Sequence, residues 1–321
     1  MAHIRVDLRK PENSYAYLSE RKDKQAAIVF VHGLDGDAYK TWIDFQTLAD
    51  SLEMDYPLFA TSDLYFFKYP SWEQKNDQVA SNCVDFIRAL FPGPPSTSIF
   101  STSLETGSAS FEQEVAEWKT SLLPSQYNRL ILVGHSKGGQ VLRLLIWNAF
   151  RVAYDRLRAT LTEVSSGDAN KALKNADPLL GADVCLFSPA IFGSDMPALI
   201  GDVVLAFAKI PGFGQLFLAA LGLALPTLKD LDPHDQTSSD VRKFTEEYYR
   251  KFDKITAFKA RILWGGKDKH VNRWQYEFDS PIEFAHGIGH TQVCKPNANF
   301  LDPLEFLCYG RKSKAASTLP G

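Results

Sequence analysis

The stretch Arg129-Leu130-Ile131-Leu132-Val133-Gly134-His135-Ser136-Lys137-Gly138 is the most informative part of this chain, because an apolar run leads directly into a motif of small residues. The last five residues match the pattern G-x-S-x-G, in which a strand turns sharply into a helix and holds a serine in a strained, exposed position. Glycines flank the serine since neighbouring backbone crowds such a turn. Residues 139–147 follow as an apolar segment typical of a buried helix. The stretch therefore predicts a strand, a nucleophile elbow at Ser136 and a helix.

Length and composition restrict the class of protein. The chain has 321 residues, 45% of them hydrophobic, and a formal net charge of −3, which suits one large α/β domain with an insertion or two small domains. The lysines and arginines are scattered, so no nucleic-acid partner is predicted. No Cys/His cluster has metal-ligand spacing, and we predict no metal; Cys185, within an apolar run, is predicted to be a buried free thiol. Residues 1–7 lack the apolar core of a signal peptide, so we expect a cytoplasmic location.

Several short apolar runs have the length of strands that are buried on both faces. They comprise residues 26–31, 64–67, 130–133, 184–187, 261–264 and, more weakly, 281–285. Helical segments alternate with them; residues 77–90, for example, place their apolar side chains on one side of a helix. This alternation predicts an α/β fold with a mostly parallel central sheet and helices on both faces.

One long segment interrupts the alternation of strands and helices. Residues 194–257 separate the fourth run from the fifth and are too many for a single crossover helix. Within them, residues 210–228 are uncharged over a length that could span a bilayer, but prolines and glycines interrupt the segment. We therefore predict a helical cap over the site, inserted between two parts of a core at residues 1–193 and 258–309. Residues 310–321 are predicted to form a flexible tail.

A serine hydroxyl needs a general base within hydrogen-bond reach, and that base needs an acid to hold its tautomer. For an elbow serine the acid follows a later strand and the histidine comes last. Asp268, in Gly265-Gly266-Lys267-Asp268 just after the fifth run, fits the acid. Asp195, after the fourth run, is the alternative.

His290 is the predicted base. It lies in the glycine-bracketed loop 287–291, which would let an imidazole reach the serine. The neighbouring His286 suits a strand end. The histidines without such a setting, which we expect to be solvated, are His3, His234 and His270.

The attack on an ester creates an oxyanion, which requires preorganised N–H donors. We predict one donor in the amide of Lys137, directly after the serine, and the second in the amide of Leu34. Leu34 lies in the loop 31–37 after the first strand, where Gly33 allows a close approach. His32 is expected to brace this loop through hydrogen bonds. The Lys137 side chain is expected to bend to solvent, although a cation there could favour an acidic substrate.

As a set, these residues resemble the α/β-hydrolase superfamily over about residues 24–300. The segments that carry the resemblance are Val31-His32-Gly33-Leu34, Gly134-His135-Ser136-Lys137-Gly138-Gly139, Gly265-Gly266-Lys267-Asp268 and Gly289-His290. More narrowly, residues 32–37 with 40–42 look like the lipase/serine-esterase branch that includes GPI-inositol-deacylase-like proteins. Residues 187–194 lie where that branch often has Thr-Pro-His-x-Gly-Ser, and here Ala190 replaces the histidine. The resemblance implies hydrolysis of a carboxylic ester through an acyl-enzyme, without a cofactor.

The sequence leaves the substrate open. The apolar segment 210–228 favours a lipid or other long acyl ester and leaves room for a peripheral membrane contact. Short acyl esters, a thioester, and acyl transfer to an acceptor other than water are alternatives on the same three residues. A non-catalytic binding domain with this fold is a further alternative. The sequence predicts no oligomeric state.

Overall fold

The computed structural model describes residues 3–8, 11, 14–51, 56–93, 126–161, 165–191, 236–271, 273 and 275–310. Within these residues one sheet contains eight strands in the spatial order β1-β2-β4-β3-β5-β6-β7-β8. The strands are β1 (His3–Asp7), β2 (Tyr15–Ser19), β3 (Ala26–Val31), β4 (Ser62–Phe67), β5 (Arg129–His135), β6 (Asp183–Phe187), β7 (Ala260–Gly265) and β8 (Glu283–Ala285).

Strands β3 to β8 run parallel to one another, whereas β1 and β2 add an antiparallel edge. All six predicted runs are strands, which confirms the predicted mostly parallel sheet. Strands β1 and β2 were not predicted. The exposed charges of Arg5 and Asp7 interrupt the apolar pattern of β1, whereas β2 is a short, largely buried run that is defined by its pairing with β1 and β4.

The helices cover both faces of the sheet. They are α1 (Ala38–Ser51), α2 (Pro57–Ala60), α3 (Asn76–Arg88), α4 (Lys137–Leu161), α5 (Ser166–Ala176), α6 (Gln236–Tyr249) and α7 (Asp302–Tyr309), with short 3-10 turns at Pro178–Gly181 and Thr256–Phe258. The helix predicted over residues 77–90 is α3, and the apolar segment after the elbow is the start of α4.

The central strands separate two hydrophobic cores. In β3, Ala27, Val29 and Val31 face the core shared with α3 and α4, whereas Ile28 and Phe30 face the core shared with α1 and α7. All six β3 residues are buried. Because successive side chains of a strand point to opposite faces, this explains why the run has no polar alternation.

An ion pair is buried at the amino-terminal end of the parallel strands. The Lys24 Nζ atom lies 2.8 Å from Oδ1 of Asp63, and both side chains are inaccessible to solvent. The Ser19 amide donates to the same oxygen at 2.8 Å, and the Tyr127 hydroxyl donates to the other one. A buried carboxylate is stable only with such partners. The pair therefore secures the end of the sheet opposite to the elbow.

Part of the predicted cap is described. Residues 236–249 form α6, which packs on α4: the rings of Phe244 and Trp147 are stacked with centroids 5.6 Å apart. Residues 194–235, and with them the apolar segment 210–228, lie outside the described residues, as do residues 311–321. None of the helices in the described ranges combines the length and apolar character needed to cross a membrane. Cys185 is a buried free thiol, as predicted.

Candidate active site

Ser136 is at the turn between β5 and α4. Its φ of 53° is in the left-handed region, which a serine adopts only at a cost in energy. Glycine is required on both sides of the turn. A Cβ atom at Gly138 would lie 2.3 Å from the Val31 carbonyl oxygen, and one at Gly134 would lie 2.9 Å from the Gly139 nitrogen. The predicted crowding of the elbow is thus observed directly.

Strand β6 holds the elbow from the other side. The Ser136 amide donates to the Phe187 carbonyl at 3.1 Å, and the Ala190 amide donates to the Ser136 carbonyl at 3.0 Å. The serine main chain is therefore bonded in both directions, which keeps the strained turn in one conformation.

Asp268 and His290 are hydrogen-bonded to each other. The His290 Nδ1 atom lies 2.7 Å from Oδ2 of Asp268, whose side chain is inaccessible to solvent. The other carboxylate oxygen accepts the His270 amide at 2.9 Å. Burial by itself would raise the pKa of Asp268, but the hydrogen bond and charge of His290, with the His270 amide and the Ser188 hydroxyl, bring this pKa below its usual value. Asp268 is thus an ionised partner for the imidazole.

The loop that carries His290 is attached to the elbow through His135. The Nε2 atom of His135, the residue before Ser136, lies 2.9 Å from the His290 carbonyl oxygen, and the two rings are 4.9 Å apart. Burial lowers the pKa of His135 to about 3, so this ring is neutral and donates its Nε2 proton to the carbonyl. The structure therefore brings Asp268, His290 and the elbow together, although they are distant in the sequence.

The loop after β3 passes directly beside Ser136. A Cβ atom at Gly33 would lie 2.8 Å from the Cβ atom of the serine, so only glycine allows this approach. Leu34 follows at once, and Asp35 continues the turn with a left-handed φ of 53°. Lys137 is the first residue of α4. The loop that contains Leu34 and the first turn of α4, which contains Lys137, are therefore both adjacent to the serine.

His32 braces this loop, as predicted. Its Nδ1 atom lies 2.9 Å from the Gly33 carbonyl oxygen, and its Nε2 atom accepts the Tyr69 amide at 3.4 Å. The Tyr69 hydroxyl donates to the His32 carbonyl at 2.7 Å, and the two rings are stacked 4.3 Å apart. Burial lowers the pKa of His32 to about 4, which keeps the ring neutral in this role.

Two predictions about side-chain exposure were wrong. Lys137 does not bend to solvent: the residue is fully buried, and Nζ donates to the Ser71 carbonyl at 2.7 Å and the Gln74 carbonyl at 3.1 Å. The reason is that the first turn of α4 faces the connection between β4 and α3. His3 and His270 are half-buried rather than solvated, and the His270 ring is 5.6 Å from that of His290.

Of the other candidate residues, one lies within the described residues and two do not. His286 is exposed directly after β8, which fits a histidine at a strand end. Asp195 and His234 lie outside the described residues.

Ser188 is a site residue that sequence reasoning missed. It is fully buried after β6 with a left-handed φ of 40°. Its hydroxyl accepts the Gly265 amide at 3.1 Å and contributes a hydrogen bond to the Asp268 carboxylate. A small polar residue directly after an apolar strand is the available sequence signal, but nothing local links it to a carboxylate 80 positions later.

The architecture is that of the α/β-hydrolase fold, and the chain is similar to several solved structures. The chain is similar to the phospholipase PlaB from Legionella pneumophila (13% identity over 91% of this chain and 61% of PlaB, TM-score 0.50). It is also similar to the mature lipase BlEst2 from Bacillus licheniformis (14% identity over 92% of this chain and 98% of BlEst2, TM-score 0.46). A soluble variant of monoglyceride lipase from Saccharomyces cerevisiae is another neighbour (11% identity over 98% of this chain and 97% of the lipase, TM-score 0.46).

At these identities the likeness shows the fold alone. No protein-family model matches the chain, and no curated protein matches it. One fold serves many reactions, so the reaction depends on the residues of the site.

Proposed function

We propose that the protein is a serine hydrolase that cleaves carboxylic esters through an acyl-enzyme. Ser136 is the nucleophile, His290 the general base and Asp268 the acid that orients the imidazole. The observation that carries the proposal is the hydrogen bond of 2.7 Å between His290 and the buried Asp268, on a loop bonded to the residue that precedes the strained serine. These three groups are the minimum that activation of a serine hydroxyl requires.

The reaction follows from the roles of these atoms. Because His290 uses Nδ1 for Asp268, its Nε2 atom is the one that removes the proton from the Ser136 hydroxyl as the oxygen attacks the ester carbonyl. The tetrahedral intermediate then collapses, the C–O bond to the alcohol breaks, and Nε2 returns the proton to the leaving alcohol. A water molecule repeats the sequence on the acyl-enzyme, which releases the acid and restores the serine.

The backbone amides of Leu34 and Lys137 are the proposed donors to the oxyanion. The close approach of Gly33 to Ser136 and the position of Lys137 at the start of α4 support this assignment. Lys137 begins α4, and the positive end of the helix dipole at this position favours a developing negative charge.

The finer parts of the assignment are also proposals. We propose a lipid or other long acyl ester as substrate, on the ground of the apolar segment 210–228. A cap at residues 194–257 that contacts a membrane peripherally, and a cytoplasmic location, belong to the same proposal. So does membership of the GPI-inositol-deacylase-like branch, for which the structural neighbours add no support.

The test is hydrolysis of p-nitrophenyl esters of increasing acyl length by the wild type, Ser136→Ala and the surface control Ser166→Ala. Turnover and labelling by a fluorophosphonate should vanish only in Ser136→Ala, and the preferred acyl length would report the substrate class. Full activity of a folded Ser136→Ala variant would overturn the proposal.

Products formed with competing alcohols would separate hydrolysis from acyl transfer, and a thioester series would test the thioesterase alternative. A folded wild type that neither turns over any ester nor reacts with the fluorophosphonate would favour a binding domain.

A further inference from the structure

Lys137 has an unusual position for a cation. It follows the proposed nucleophile directly, yet the whole residue is inaccessible to solvent. Its Nζ atom donates to the carbonyl oxygens of Ser71 and Gln74 and lies 5.7 Å from the centre of the Tyr69 ring. A buried ammonium is tolerated only where hydrogen bonds hold it. The side chain is therefore a fixed link between the start of α4 and residues 69–74.

Residues 69–74, which we call the β4 exit segment, also hold the loop that contains Leu34. The Tyr69 hydroxyl donates to the His32 carbonyl at 2.7 Å, two residues before Leu34. The Trp72 indole donates from Nε1 to Oδ1 of Asp35 at 3.2 Å, one residue after Leu34. The β4 exit segment thus contacts the loop on both sides of the proposed donor.

These contacts connect the two proposed oxyanion donors through one piece of structure. One donor is the amide of Lys137 itself, and the other is the amide of Leu34, held by Tyr69 and Trp72. Donors stabilise an oxyanion only when both lie about 2.7–3.1 Å from the position that the oxygen will occupy. The separation of the two amides therefore has to be kept within a few tenths of an ångström.

We propose that the Lys137 side chain is a positioning residue that sets this separation by tying the β4 exit segment to the elbow. The inference rests on the proposed function and adds a role that the three reacting residues do not fill. A methionine of similar length would fill the same space but could not donate to the two carbonyls. The ammonium is therefore needed for its hydrogen bonds rather than for a charge offered to the substrate.

The test compares Lys137→Met with the wild type and with Lys24→Met. Lys24 is a matched control because it is also a buried lysine, about 20 Å away at the other end of β3. In Lys137→Met we expect kcat to fall about tenfold or more. One oxyanion donor contributes a factor of roughly 10² to 10³ to the rate, and a displaced donor loses part of that factor. KM should change little. The affinity for an alkyl boronic acid, which forms a tetrahedral adduct on the serine, should fall by the same factor as kcat.

A folded Lys137→Met variant with wild-type kcat and boronic acid affinity would overturn the inference. Equal losses in Lys24→Met, assayed well below the melting temperature of each variant, would do so as well, because they would indicate general destabilisation. Should Lys137→Met not fold, Tyr69→Phe removes only the hydroxyl that donates to His32. The same paired loss in this variant would support the role of the β4 exit segment, and unchanged values would overturn it.

Failure of the proposed function would look different. In that case the wild type itself would show neither ester turnover nor labelling of Ser136 by a fluorophosphonate, and both proposals would fall together. Ester turnover that depends on Ser136 but not on Lys137 would overturn only the positioning role.

Discussion

The carbonyl oxygen of His290 accepts a hydrogen bond from the ring of His135, while the ring of His290 bonds to Asp268. One residue is thus held at both its main chain and its side chain. Since His135 adjoins Ser136, any shift of the elbow is transmitted to the loop that carries the imidazole. This contact ties the loop of the proposed base to the elbow of the proposed nucleophile across 155 positions of the sequence.

Replacing Asp268 by asparagine tests the proposed acid. The amide nitrogen of asparagine would donate to Nδ1 of His290 and leave the proton on Nε2, the wrong tautomer for a base. We expect kcat to fall by roughly 10³- to 10⁴-fold with nearly unchanged folding. Ester turnover and circular dichroism would measure the two effects. Asp183→Asn, which alters an exposed ion pair with Arg129, is the matched control. Unchanged turnover in Asp268→Asn would instead direct attention to Asp195.

The elbow glycine Gly138 should not tolerate a methyl group. In Gly138→Ala the new Cβ atom would lie 2.3 Å from the Val31 carbonyl oxygen and 2.6 Å from that of His32. The backbone must then shift, and we expect a loss of about 1–3 kcal/mol in the free energy of unfolding together with reduced turnover. Gly167→Ala is the control, because its nearest neighbour would be 3.8 Å away. This helical position should gain up to about 1 kcal/mol. Equal stability changes in the two variants would contradict the crowding argument.

Acidification should begin to destabilise the protein at pH values higher than those at which carboxylates titrate. Burial lowers the pKa of His32 to about 4 and that of His135 to about 3, against about 6.5 in an unfolded chain. Below pH 6.5 the unfolded state therefore binds protons that the folded state does not. As the pH falls, each ring therefore lowers the free energy of unfolding by up to about 1.4 kcal/mol per pH unit. This decrease ends when the pH reaches the pKa of that ring in the folded state. The free energy of unfolding thus has its full value, with respect to these two rings, above pH 6.5 and decreases as the pH falls below it.

Chemical denaturation of the wild type and His135→Gln between pH 7 and pH 5 would measure this slope. The glutamine amide can donate to the His290 carbonyl but does not titrate, so the variant should lose less stability on acidification. His286→Gln, at an exposed position after β8, provides the comparison. A slope in His135→Gln as steep as that of the wild type would show that His135 is not responsible.

The buried pair of Lys24 and Asp63 should contribute to stability but not to turnover. Removing one partner, as in Asp63→Asn or Lys24→Met, leaves a buried charge without its counter-ion and should cost about 3–5 kcal/mol of unfolding free energy. Because the pair is at the amino-terminal end of the strands, kcat measured below the melting temperature should stay at the wild-type value. Denaturant titration and ester turnover would test the two parts, and a fall in kcat would contradict the separation between this network and the site.

The features that depend on neighbours along the chain could be predicted from the amino-acid sequence. Apolar runs without alternation predicted the parallel strands, since a strand buried on both faces has no polar side. The spacing of small residues predicted the elbow at Ser136, because the turn forms within five residues. Chain order indicated Asp268 and His290, and the structure brings these two into direct contact.

The contacts that support these residues arise from the packing of segments that are far apart in the sequence. Burial of Lys137 depends on carbonyl groups more than 60 positions earlier, and the role of Ser188 depends on a strand 77 positions later. Periodicity and motif spacing describe what a segment can form, but a side chain that is polar or charged can face either solvent or another loop. Which of these it meets depends on how distant segments pack, and that information is not local to any stretch of the chain.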